Sequence, residues 1–333
     1  MKNFKNFEAL DWDMRSIVQH LINFKAPPLE SLDYVAARNN PTLKNAVEEI
    51  ASHSAIVRTM NVTTPVLPER VDHVEHYLIP TRDGHVNTRF YFPKTAKSEL
   101  PIIVYFHGGG WVIADLNVYE ASCRALCNVT EAIVASVAYR QAPEYKFPAA
   151  VNDAYDAAQF IIRNARSFGG ATDRVAVAGE SAGGNLATVA CMMAKEQNAP
   201  MPRAQLLIYP VTDTSQSQGS YTENEDTQPL HSSMMPWFFN YYLEDKTQAK
   251  EPHVAPLLAD NLGGLPPAIV ITAQFDPLRD EGEQYAEKLR QAGVPVWTRR
   301  FDGVTHEFFG LAGSVSKAKE AVKFAADALK NIF

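Results

Sequence analysis

The chain is poor in cysteine. It has three, Cys123, Cys127 and Cys191, in 333 residues. A set so sparse and odd in number excludes a disulfide-stapled scaffold. Cys123 and Cys127 stand one helical turn apart and are expected to pack as small apolar groups. The cytoplasm, a reducing compartment, is the expected location. Long hydrophobic runs are also missing. Ile102–Phe106 and Ala268–Thr272 are among the longest, far short of the roughly 20 residues a bilayer demands, so no membrane span is expected. The opening residues, MKNFKNFEALDWDM, lack the apolar stretch of a signal peptide and carry acids early, so none is expected. There is no tail of like charge, no internal repeat and no low-complexity tract. The net charge of −7 argues against a nucleic-acid partner.

With 46% hydrophobic and 21% charged residues, the composition is that of an ordinary soluble enzyme with a large core. Residues 1 to about 65 read as mixed-polar helix, broken at Pro27-Pro28 and at Asn39-Asn40-Pro41, and resemble a cap more than a core. From Val71 the pattern changes. Val71–Ile79 and His85–Phe92 read as strands around a hairpin signal, Pro80-Thr81-Arg82-Asp83-Gly84. Six further strand-like runs follow: Ile102–Phe106, Ile133–Ala138, Val175–Ala178, Gln205–Tyr209, Ala268–Ala273 and Val296–Phe301. Helix-like runs near 117–129, 149–166, 183–197, 279–292 and 315–331 alternate with them. Continuous apolar strands alternating with amphipathic helices predict a mostly parallel sheet covered on both faces. The alternation breaks once, at about 212–264, where a polar stretch expected to be a loop (215–228) precedes SSMMPWFFNYYL. This insertion is expected to form part of a cap. Eight strands in this order resemble the α/β-hydrolase fold.

Gly179-Glu180-Ser181-Ala182-Gly183 matches G-x-S-x-G, with an apolar run before it and an Ala/Leu/Met-rich run after it. By itself this pattern arises often by chance. In strand–turn–helix context it places a serine hydroxyl on a tight turn, with the free N–H groups of the next helix aimed at the same spot. Acyl transfer by serine also needs a base, an orienting acid and an oxyanion site, and in this fold the order is Ser, Asp or Glu, then His. Asp276 stands just past the strand-like run 268–273, where it also suits helix capping, a role for which Asp280 competes. His306 stands on the loop expected after the last strand, where the bland alternative is a surface histidine. Unperturbed, it would titrate near pH ~6.5. Upstream, His107-Gly108-Gly109-Gly110-Trp111 follows the third strand. Its glycines let backbone amides face a substrate, and with Ala182 they are the candidate oxyanion donors. A phosphate-binding loop would need the G-K-[ST] ending or the G-x-G-x-x-G spacing, and neither is present. His107 is expected to brace the glycine loop.

HGGGW, YRQAPEYKFPAAVNDAYDA, GESAGG, DPLRDEG and HEFFG, in this order, resemble the hormone-sensitive lipase family of bacterial esterases. The likeness runs from about residue 70 to the end. It implies a nucleophile, acid and base at Ser181, Asp276 and His306, and oxyanion donors at Gly109, Gly110 and Ala182, with Gly108 in the same loop. It further implies a serine carboxylesterase for short- to medium-chain acyl esters, and homodimerisation through the last strand and helix. The one mild departure is Glu180, where Asp is common. Glu180 is expected to brace the elbow through backbone or Arg279. Arg140, Glu144 and Asp153 are expected to form one polar network beneath the site. Trp111, Met234, Phe238, Tyr241, Phe308 and Phe309 are candidates to line the substrate pocket, with plain packing as the alternative. His73 and His76 would point to opposite faces of a strand, and His306-Glu307 is not H-E-x-x-H, so no metal is assigned. The chemistry calls for no cofactor. An amidase on the same triad and a non-catalytic ligand-binding relative are the other classes; His306 argues against the second.

Overall fold

In the computed structural model, residues 4–58 and 69–333 are described. Eight strands form one sheet: β1 (His73–Thr81), β2 (Gly84–Phe92), β3 (Leu100–Phe106), β4 (Ile133–Val137), β5 (Gly170–Glu180), β6 (Gln205–Ile208), β7 (Ala268–Phe275) and β8 (Val296–Thr305). Their order is β1-β2-β4-β3-β5-β6-β7-β8. β2 runs antiparallel to both neighbours and every other pair is parallel. The helices are α1 (Trp12–Asn23), α2 (Tyr34–Ala37), α3 (Leu43–Arg58), α4 (Glu120–Thr130), α5 (Ala149–Asn164), α6 (Ala182–Glu196), α7 (Gly219–Glu223), α8 (Met234–Tyr242), α9 (Arg279–Gln291) and α10 (Ser316–Ile332). This is the α/β-hydrolase fold.

Period-two alternation explains why the central strands read as unbroken apolar runs. On β3, Ile102, Val104 and Phe106 join the core on one face, while Ile103 and Tyr105 join the core on the other. Val175 and Val177 of β5 join the first core, Ala176 and Ala178 the second. The first core includes residues of α5, α6, α8 and α9, the second residues of α1, α4 and α10. Each fully buried Ile, Val or Phe contributes about 1.5–3 kcal/mol.

Several boundaries differ from the sequence expectation. The hairpin turn shrinks to Arg82-Asp83, because Thr81 pairs with Gly84. β5 and β7 are longer than their apolar runs, and β8 runs on to Thr305, so His306 follows the strand directly. The polar stretch 215–228 holds a short helix, α7. The N-terminal segment does more than cap. Met14, Ile17 and Val18 of α1 join the second core, whereas Leu29 and Ala37 join the first. Residues 59–65 of the expected cap lie outside the described residues.

Candidate active site

β5 ends at Glu180 and α6 begins at Ala182, so Ser181 is the whole turn between them. It holds φ 56° and ψ −120°, a sparsely populated conformation that costs about 1–3 kcal/mol. Its N–H donates to Ile208 O at 2.9 Å, and its carbonyl accepts from Asn185 N at 3.1 Å and Val211 N at 3.2 Å. The flanking glycines permit the turn. A Cβ on Gly179 would overlap the Gly183 carbonyl, and one on Gly183 would overlap the Phe106 carbonyl. Ser181 is 6% exposed.

Glu180 does not meet Arg279. It is fully buried and accepts hydrogen bonds from the hydroxyls of Tyr105, on β3, and Tyr209, directly after β6. Burial raises its pKa, partly offset by these bonds. Arg279 instead pairs outward, with Glu223 and Asp280 at 2.8 Å each.

β7 delivers Asp276 and β8 delivers His306, both buried. His306 Nδ1 and Asp276 Oδ2 are 2.6 Å apart. Asp276 Oδ1 accepts from Leu278 N at 2.8 Å, bracing the turn into α9, whose N-cap is Leu278. One oxygen therefore serves the turn and the other the histidine. A carboxylate only accepts, so the Nδ1 atom carries the proton and Nε2 keeps its lone pair. Burial works against a charged His306. The charge and hydrogen bond of Asp276, with Glu307 and Glu180 nearby, more than offset it and raise its pKa.

Behind β3, His107 Nδ1 donates to Gly108 O at 2.7 Å and Tyr139 Oη donates to His107 O at 2.8 Å. The imidazole stacks on Tyr139, with centroids 4.4 Å apart. Burial lowers the His107 pKa to about 4, so the ring is a neutral brace. Gly109 and Gly110 hold φ 96° and 58°. Among the described residues neither amide donates a hydrogen bond. The Ala182 amide is one of the unpaired donors at the start of α6.

Gly109, Gly110, Ser181 and His306 line one cavity of about 650 Å³. Met234, Met235 and Phe238 of α8 form part of its wall, along with Val211. Gly108 sits one step behind, pressed against the Tyr119 hydroxyl. Four expected pocket residues lie elsewhere. Trp111 is fully buried and stacked on Tyr242, centroids 4.2 Å apart. Tyr241 shares a helical face with Met234 and Phe238 but lies a turn further on, against Tyr34 and Trp237. Phe308 packs on Tyr209 and Phe301, and Phe309 is equally buried in the second core.

The N-terminal segment supplies wall residues that carried no motif, including Pro27, Leu29 and Arg38. Arg38 holds this segment over the site. It clasps Glu144 at 2.6 and 2.7 Å and donates to Val112 O and Ala142 O. Glu144 is therefore no part of the Arg140 network. Arg140 grips the buried Asp153 through Nε, Nη2 and its backbone N–H, and reaches Asp83. Glu281, within DPLRDEG, also gains a partner only in the fold. It accepts from Thr212 N, Asp213 N and Tyr221 Oη, tying the 212–264 insertion to α9. Burial pushes its pKa up to about 8 against those bonds.

A strained serine between β5 and α6, with an Asp–His pair at the ends of the parallel strands β7 and β8, is the arrangement of an α/β-hydrolase site. A family profile described as alpha/beta hydrolase fold matches residues 103–310. The esterase LipI of Mycobacterium tuberculosis is 40% identical over 74% of this chain and 78% of its own length. The carboxylic ester hydrolase LipN of the same organism is 38% identical over 83% and 75%. Among solved structures, a hyperthermophilic esterase from Pyrobaculum calidifontis aligns with a TM-score of 0.84 and 37% identity over 97% of this chain and 98% of its own. The chain belongs to the hormone-sensitive-lipase-like family of α/β-hydrolases. Among the described residues no helix is long and apolar enough to cross a membrane.

Proposed function

We propose that the protein is a serine carboxylesterase for short- to medium-chain acyl esters, working through Ser181, His306 and Asp276. That it is a carboxylic ester hydrolase follows from relatives named as esterases across most of the chain. The observation that carries the triad is the 2.6 Å His306–Asp276 bond, with the histidine and Ser181 on one cavity wall. Ser181 Oγ attacks the ester carbonyl carbon as His306 Nε2 takes its proton. The Gly109, Gly110 and Ala182 amides hold the oxyanion; each such donor is worth about 3–4 kcal/mol. The tetrahedral species collapses, His306 returns the proton to the alcohol, and an acyl-enzyme remains. Water, activated by His306, then releases the acid. Asp276 stabilises the imidazolium throughout.

A cavity of about 650 Å³ roofed by α8 and the N-terminal segment supports small substrates. The buried free thiols Cys123, Cys127 and Cys191 support the cytoplasm as its place. The exposed edge of β8 supports pairing of two copies there. The test is hydrolysis of p-nitrophenyl esters from acetate to palmitate, beside Ser181→Ala and matched amides. Turnover peaking at short chains and lost in the variant is expected. Silence from folded protein on esters, with amide turnover, would move the substrate class to amides.

A further inference from the structure

One tyrosine ties together the two loops that carry the reacting groups. Tyr119, directly before α4, is 4% exposed. Its hydroxyl donates to Glu307 Oε1 at 3.0 Å. The same hydroxyl packs against Gly108, where a Cβ would overlap it. Glu307 follows His306 and holds φ 64° and ψ 10°, a left-handed conformation that non-glycine residues keep only when their surroundings enforce it. Behind the pair lies a second cavity of about 300 Å³, lined by Tyr119, Ser122, Glu180 and Leu311 among others. Thr42, Val118 and Glu307 line both this cavity and the catalytic one. Glu307 therefore stands in a thin partition, and the Tyr119 bond is its fixed anchor.

We infer that Tyr119 and Glu307 are positioning residues, whose hydrogen bond sets the glycine loop and the histidine loop at one separation, so that the oxyanion amides and the His306 base meet the same carbonyl. This rests on the triad proposed above. Glu307 also acts on His306 by charge. The groups facing His306 are Asp276 at 2.6 Å, the Tyr209 ring at 4.5 Å, Glu180 beneath Tyr209, and Glu307. Removing the Glu307 charge makes the imidazolium less favourable.

The test compares Tyr119→Phe, Glu307→Ala, Glu307→Gln and the double Tyr119→Phe/Glu307→Ala, with Ser181→Ala as control. kcat and KM for p-nitrophenyl butyrate are measured from pH 5 to 9, and melting temperature alongside. Tyr119→Phe and Glu307→Ala are each expected to lower kcat about ten- to a hundredfold with KM little changed. The double variant should be no worse than either, because both break one bond. Glu307→Gln keeps an acceptor for Tyr119, so it should lose less kcat, yet its acidic limb should move to lower pH. Wild-type kcat in Tyr119→Phe, additive losses in the double, or losses that follow melting alone would overturn the inference. Activity surviving Ser181→Ala would overturn the triad itself, whereas silent Ser181→Ala beside an unaffected Tyr119→Phe would overturn only the positioning role.

Discussion

Asp276→Asn should disable the enzyme by proton placement rather than by loss of structure. The new amide has one acceptor atom, its oxygen, and an NH2 group that only donates. Leu278 N–H, 2.8 Å from Oδ1, can only donate, so it holds the amide oxygen of the substituted side chain on its own side. The NH2 group must then face His306 Nδ1, across the 2.6 Å now spanned by the carboxylate. His306 would accept at Nδ1 and carry its proton on Nε2, the atom that must receive the Ser181 proton. Escape requires flipping the amide, which orphans the buried Leu278 donor and costs about 1–3 kcal/mol. The stabilisation of the imidazolium by a buried charge is lost in addition. Together these match the roughly 10⁴-fold fall in kcat known for the same exchange in a serine-protease triad, or about 5 kcal/mol of barrier. The assay is kcat on p-nitrophenyl acetate at pH 7.5, with melting as the fold control. A folded Asp276→Asn enzyme within tenfold of wild type would refute the tautomer reasoning.

The acidic limb of kcat/KM should have its midpoint above about 6.5, the unperturbed imidazole value, because Asp276, Glu307 and Glu180 favour protonated His306 and only the neutral form is a base. A flat rate from pH 5 to 8 would contradict His306 as base. Asp153→Asn breaks the grip of Arg140 on a fully buried carboxylate. After discounting for the partial exposure of Arg140, the cost is about 2 kcal/mol, so melting should drop by roughly 3 °C with KM unchanged. A rise in KM without loss of melting temperature would instead place Asp153 in substrate binding. Gly110→Ala would drive its Cβ into the Phe238 ring at the cavity wall. KM should rise more for butyrate than for acetate, and an equal change for both would show that Phe238 does not bound the acyl chain.

Much was legible from local pattern. Apolar strand runs alternating with amphipathic helices specify a covered parallel sheet, and Gly179, Ser181 and Gly183 specify the elbow, because only small residues survive where their carbonyl neighbours press. The positions of Asp276 and His306 past consecutive strands follow from the same order, since a parallel sheet brings the carboxyl ends of its strands to one side. The pocket was less legible. Helical spacing grouped Tyr241 with Met234 and Phe238, but periodicity cannot tell which neighbour a face meets, and Tyr34 took it. Trp111 and Phe308 look like pocket residues by nearness in sequence to the glycine loop and the histidine. Their backbones turn both away into the cores.

The sequence by itself determined the fold and the candidate site residues in their order along the sheet, because each of these is written in local spacing and residue type. Only the tertiary structure decided the partners of the charged side chains, Glu180 with two tyrosines, Arg38 with Glu144, Glu281 with the insertion and Glu307 with Tyr119. A buried carboxylate takes whatever donor the packed neighbours bring within hydrogen-bond reach, and those donors come from segments far apart in the chain.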